Sequence, residues 1–376
     1  MSLAPEDSLR LNVLLKQELL ALRIDEGKML LHGLTARGEA KIQLNPNCAH
    51  ERYLRKVREL LSMHALGSTR GYPVFLKRWT RMGQMRSDNL EGLLRLGEPE
   101  AVTAVVHAPG LTDELARRAW WAEHSAEHAR AMLAREAIVQ GEMGRVLAAF
   151  LIEFLPYEEN PHHIAESVRL VLQADLIDET TCHGLWAKGQ RKPAWRVGFL
   201  KARPDALPET AAAHPRAAEL AATLDALADA GNVYARQLAR VLAAPGQAFL
   251  ATALRTLEKA ADPAVAIHLF EAIWEYFEGV RGDAPRHRDV DVLLERAVAL
   301  DPGSSDPARQ AQLQALIEAL PDERPLIESL LVLSHFGEPL LAPILGSTDA
   351  VGAGLRARLE PLSVPLTLHL RRLMGA

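Results

Sequence analysis

Cysteine is nearly absent: Cys48 and Cys182 are the only two in 376 residues. That excludes a disulfide framework or a thiolate metal site and fits a reducing compartment. Aromatic residues are scarce at 5%, which leaves an all-β fold little to build with. Long hydrophobic runs are missing too. The longest uncharged stretch, Val241 to Leu254, falls short of the ~18 residues a membrane helix needs, so no membrane insertion is expected. Near the N-terminus Arg10, Lys16 and Glu18 interrupt the apolar residues, a pattern unlike a signal peptide. The expected location is the cytoplasm. Glycine (24) and proline (22) stand at ordinary levels, against low-complexity disorder.

What the chain has in abundance is alanine and leucine, 59 and 62 residues or about 32%, the best helix formers. Its length accommodates two or three domains and a core that needs no covalent staples. The net charge of -5 is uneven. Residues 1 to 90 hold 15 Lys and Arg against 9 Asp and Glu, a net of +6, so the remainder carries -11. The excess lies between residues 50 and 90, in Arg52, Arg55, Lys56, Arg58, Arg70, Lys77, Arg78, Arg81 and Arg86.

Leu9 to Leu20 reads as a first helix. Ala21 to Ile24 and Lys28 to His32 flank the turn signal Asp25-Glu26-Gly27, and Glu39 to Leu44 alternates as a third strand until Asn45-Pro46-Asn47 stops it. Residues 50 to 66 recover the helical period, with Leu54, Val57, Leu61 and His64 on one side and Arg52, Arg55, Lys56 and Glu59 on the other. Val74 to Trp79 is a candidate fourth strand. From residue 86 onward helices follow one another with Pro, Gly or Asp punctuation and no further convincing strand.

A shift of 65 residues superimposes Val106 on Val171, Leu111 on Leu176, Asp113-Glu114 on Asp178-Glu179, Trp121-Ala122 on Trp186-Ala187 and Ala129 on Ala194. The shared unit reads as helix, turn, helix. The expected fold class is therefore mainly α: a small α+β domain with a basic surface over residues 1-85, then an α-solenoid-like array of HEAT-like helix pairs. Lys201 to Pro215, with Pro204, Pro208 and Pro215, divides the array into blocks 86-205 and 206-376.

Motifs for chemistry are few. His124-Ser125-Ala126-Glu127-His128 spells H-x-x-E-H, in which two histidines one helical turn apart hold zinc and the glutamate acts as base. The apolar stripe Leu115, Ala119, Ala122, Ala126, Ala129 and Leu133 places His124 and His128 on the opposite, solvated side, so a metal-dependent hydrolase is the weakest reading. Glu158, Glu159, His162, His163 and Glu166 cluster around Pro161, as expected at a helix start. Gly33 and Gly38 have phosphate-loop separation, but Glu39 stands where lysine is required. Cys182 and His183 read as a buried thiol beside a surface histidine. No catalytic residue, metal ligand or cofactor is assigned.

The basic segment carries more weight. Tyr72, Phe75 and Trp79 interleave with Lys77, Arg78 and Arg81, a composition suited to an anionic partner, whether protein or nucleic acid. Arg52, Arg55, Lys56, Tyr72, Lys77, Arg78, Trp79, Arg81 and Arg86 are the candidate partner-binding residues.

A resemblance supplies context. Leu9 to Leu15, Arg23-Ile24-Asp25-Glu26, Gly38-Glu39-Ala40-Lys41 and Leu44-Asn45-Pro46-Asn47 resemble the DsrS family, as do Arg78 to Met85, Leu96 to Ala101 and Pro109 to Trp121. The likeness covers chiefly the first half. It implies a cytoplasmic accessory protein encoded with the reverse dissimilatory sulfite reductase system of sulfur-oxidising bacteria, regulatory rather than catalytic. The leading expectation is a non-enzymatic interaction protein with a protein partner from that system; a nucleic-acid-binding regulator is the alternative.

Overall fold

A computed structural model describes residues 3–67, 87–282, 288–301, 304–346 and 350–375. It is mainly helical, with one three-stranded antiparallel sheet near the N-terminus. Packing divides the chain into two compact units, Met1–Phe154 and Leu155–Ala376. Among the described residues no helix is long and apolar enough to cross a membrane.

The first unit opens with helix α1 (Pro5–Leu15), followed by strands β1 (Leu19–Asp25), β2 (Leu30–Thr35) and β3 (Gly38–Gln43) and helix α2 (His50–Leu66). The strands form a meander in the order β1-β2-β3, with Ile24 opposite Leu31 and Leu31 opposite Ile42. The first helix is shorter than its apolar residues suggest. Leu19 and Leu20 are strong helix formers, yet they begin β1, because pairing with β2 buries Leu19, Ala21 and Leu22 and tertiary burial overrides propensity. The expected strand at Lys28 starts later, at Leu30: Met29 has φ 49° inside the connecting turn, and the Lys28 amide donates to Asp25 Oδ1 at 3.0 Å. Leu11, Leu14, Leu22, Leu31, Tyr53, Leu54, Val57 and Leu61 share one core. Gly67 ends α2 in the left-handed region, φ 67°, donating to the Met63 carbonyl. The candidate strand Val74 to Trp79 lies outside the described residues.

Among the described residues of this unit six further helices follow: Ser87–Leu94, Pro99–Val106, Asp113–Ala122, Ala126–Leu133, Glu136–Val139 and Glu142–Phe154. Thr112 caps Asp113–Ala122 by accepting from the Leu115 amide.

Among its described residues the second unit has helices and no strand. Asn160, Asp178, Asn232, Asp262, Asp289 and Asp306 each accept a backbone amide at a helix start. Pro161, Pro193, Pro263 and Pro307 occupy first-turn positions where a missing amide costs nothing. Pro263–Tyr276 is central. It packs against Pro161–Val171 and Pro193–Ala202, and also against Arg324–His335 and Glu338–Leu345. Val197, Tyr234, Phe249, Phe270, Ile273, Phe277, Leu330, Phe336 and Leu366 lie in one continuous core. The longest helix, Ala353–Met374, contains Pro361 and Pro365 one turn apart.

The 65-residue echo marks two helices, Asp113–Ala122 and Glu179–Gly189, but its matched residues do different work. Asp178 caps its own helix through the Thr181 amide at 2.7 Å. Asp113 instead accepts from the Glu142 and Met143 amides at 3.2 and 3.1 Å, capping a later helix. Trp121 lies under the Arg23 guanidinium, 4.8 Å from it; Trp186 is buried edge-on against Phe199.

Candidate functional site

Helix α2 carries the part of the basic segment that the structure describes. Tyr53, Leu54, Val57 and Leu61 turn inward, so the helical period sends Arg52, Arg55 and Lys56 to the opposite side. Arg52 and Arg55 are exposed and Lys56 half-buried. Arg55 meets Glu51 at 3.4 Å, both largely in water, a pairing worth under ~1 kcal/mol and easily exchanged for another carboxylate. Arg58, from the same segment, pairs with Glu26. Tyr72, Lys77, Arg78, Trp79, Arg81 and Arg86 lie outside the described residues, so only Arg52, Arg55 and Lys56 of the candidate contact set are placed.

The H-x-x-E-H motif does not form a zinc-protease helix. The chain leaves its helix at Ala122 and starts a new one at Ala126, and Ser125 Oγ caps the second helix by accepting from the His128 amide at 3.1 Å. His124 therefore precedes the helix that holds His128, and the one-turn spacing is lost. The expected solvated face is also corrected for His128, which is 3% exposed, with Nε2 3.1 Å from Thr103 Oγ1. His124 sits edge-on to Trp120 at 4.6 Å. Among the described residues no group of three or more His, Cys, Asp and Glu is placed to hold a metal ion. Cys182 is buried and accepts from Arg203 Nη1 at 3.1 Å, whereas His183 is exposed.

An ionisable constellation in the second unit is visible only in three dimensions. His162 stands at the start of Pro161–Val171, its amide donating to Asn160 Oδ1 at 3.0 Å. His268 lies on Pro263–Tyr276, 4% exposed, with Nε2 2.8 Å from His162 Nδ1. One turn further, Glu271 Oε2 is 3.0 Å from His268 Nδ1 and 2.9 Å from Lys201 Nζ; Lys201 also approaches Glu275 at 3.6 Å. Glu166 is clamped by Arg169 through contacts of 2.6 and 3.0 Å.

Close helix packing makes this chain of contacts. Gly198, in the helix that carries Lys201, has no room for a side chain, since a Cβ would stand 2.6 Å from Val168 Cβ and 2.8 Å from the Ala165 carbonyl. That close approach brings Pro193–Ala202 against Pro161–Val171.

Electrostatics follow from the contacts. The hydrogen bond from His268 holds the Glu271 carboxyl down at about 2, helped by Lys201, against burial that pushes the other way. Burial lowers the His162 pKa, with repulsion from His268 and His163 adding to it and Glu166 and Glu271 opposing. An ionised Glu271 can only accept, so it takes a hydrogen bond from His268 Nδ1–H, which turns His268 Nε2 toward His162 Nδ1. The assignment follows from the network. The arrangement connects a half-buried carboxylate to an exposed imidazole through the two ring nitrogens of His268. The helix-start reading of the Glu158–Glu166 cluster holds for its backbone geometry, but sequence gave no sight of His268, 106 positions away. The available signal was His268 and Glu271 three apart on a helix whose other residues are apolar apart from Glu275 and Tyr276.

Comparison with known protein families, curated proteins and solved structures found no match.

Proposed function

We propose that this chain is a non-enzymatic accessory or regulatory protein of the cytoplasm, in which a HEAT-like helical array presents a small α+β domain to a protein partner. The carrying observation is α2: its apolar side is committed to the core while Arg52, Arg55 and the half-buried Lys56 lie on the opposite side, where Arg55 meets Glu51 in a weak, exposed contact. Such a surface favours fast encounter with an acidic partner patch. The resemblance to the DsrS family suggests that the partner belongs to bacterial sulfur oxidation.

Affinity capture from cells growing on reduced sulfur, with and without nuclease treatment, tests this reading. The unaltered chain should retain a sulfur-oxidation protein after nuclease, and the triple variant R52E/R55E/K56E should lose it at least tenfold. Retention of nucleic acid alone would transfer the surface to an RNA or DNA partner. Recovery of neither would refute both.

A further inference from the structure

A cavity of about 600 Å³ opens in the second unit, walled by Trp186, Arg196, Leu207, Pro208, Glu209 and Arg255 among others. That volume lies within the ~300–1,000 Å³ typical of small-molecule sites. Two guanidinium groups share it with one carboxylate. Arg255 Nη2 holds Glu209 Oε2 at 2.6 Å, whereas Arg196, only 8% exposed, contacts no carboxylate. Its partners are the carbonyls of Gln190, just beyond Glu179–Gly189, and of Arg255, in the last turn of Ala244–Glu258. Those helix ends favour a cation but engage only two of its five N–H donors. Burial and then the charge of Arg255 lower the Arg196 pKa, with Glu209 opposing. The site therefore has cationic capacity beyond what its own carboxylate uses.

Glu209 reaches Arg255 from the irregular connection between Ala202 and Ala217 that contains Pro204, Pro208 and Pro215. Among the described residues it is the one acidic side chain on the cavity wall, and it is held by a contact rather than by a helix. Beside it, Trp186, Leu207 and Pro208 supply apolar surface.

We infer that this cavity binds a small organic carboxylate with an apolar body: the ligand's carboxylate takes the place of Glu209 on Arg255, near Arg196, and its body lies against Trp186, Leu207 and Pro208. Glu209 is then an internal competitor that weakens binding until displaced. The inference is independent of the docking role of α2, which lies in the other unit, and concerns a different kind of ligand.

Calorimetric titration of the full chain with phenylacetate, and with neutral phenylacetamide as control, tests it. Saturable binding of phenylacetate is expected, tightened about tenfold in Glu209→Gln and weakened at least tenfold in Arg255→Ala, with no binding of the amide. A gain of affinity in Glu209→Gln does not arise from misfolding. Failure of phenylacetate to bind both the parent and Glu209→Gln, equal binding of the amide, or indifference to Arg255→Ala would each overturn the inference.

Discussion

Asp7 is wholly buried, yet it is an ionised anchor for the first unit. The Asn45 amide donates to Oδ2 at 2.6 Å, Asn45 Nδ2 to Oδ1 at 3.1 Å, and the Tyr53 hydroxyl to Oδ2. Burial pushes the Asp7 pKa up, but these donors and the charge of Arg10 outweigh it and leave it lowered. Tyr53 answers in kind, driven up to about 12 by burial and by its bond to Asp7. Tyr53→Phe should cost roughly 1–3 kcal/mol in urea unfolding, because it strips a donor from a buried carboxylate. An unchanged midpoint would remove Asp7 from this role. The sequence shows Asn45 as part of a strand stop, which is correct locally, while the first helix as read from Leu9 leaves Asp7 outside it; no local pattern reveals that one binds the other across 38 positions.

Among the elements, helix starts were the most legible feature, because an Asn or Asp cap followed by Pro acts over two or three residues whatever surrounds it. Helix against strand at Leu19 was not legible, since the partner strand decides it. The turn at Ser125 was hidden by its alanine-rich surroundings: Ser125 reads as one more helical position until its side chain is seen capping. Helix-to-helix distance is equally silent in one dimension, and Gly198 sets it. Alanine there would gain up to ~1 kcal/mol in intrinsic helix propensity but collide with Val168 and the Ala165 carbonyl, an overpacking cost of about 1–3 kcal/mol. Gly198→Ala should therefore lower the thermal midpoint. It should also part His162 from His268, seen as a changed His162 imidazole titration by NMR. A raised midpoint with an unaltered His162 titration would contradict the close approach.

For the whole molecule the clearest consequence is sensitivity to acid. Burial lowers the pKa of His369, to about 4, and also lowers those of His214, His162 and His124. His369 and His214 are almost fully enclosed. Above the unfolded value of about 6.5 these rings are neutral in both states and cost nothing. As pH falls through 6.5 the unfolded chain takes up protons that the folded chain refuses, so stability declines until the folded pKa is reached. His369 alone contributes on the order of 3 kcal/mol of this loss. Glu271 and Glu114, each held at about 2, extend the decline below pH 4.5, where only the unfolded carboxyls protonate. The urea midpoint should fall between pH 7.5 and pH 5, and His369→Gln should flatten that slope. A flat profile in the parent protein would refute the assignment. Charge arithmetic pointed to a basic segment. The buried histidines that govern this titration were invisible to it, because burial, unlike charge, cannot be summed from composition.

Pro361 and Pro365 remove two amide donors from the ladder of Ala353–Met374, and the carbonyls they leave, of Ala357 and Pro361, belong to exposed residues. Water can solvate them there. The opposite side carries Leu355, Leu359, Leu362, Leu366, Leu370 and Leu373, all buried. The shape of this segment is thus borrowed from what it rests on: as an excised peptide, with two prolines inside it and no core to lean against, it would not be a helix at all.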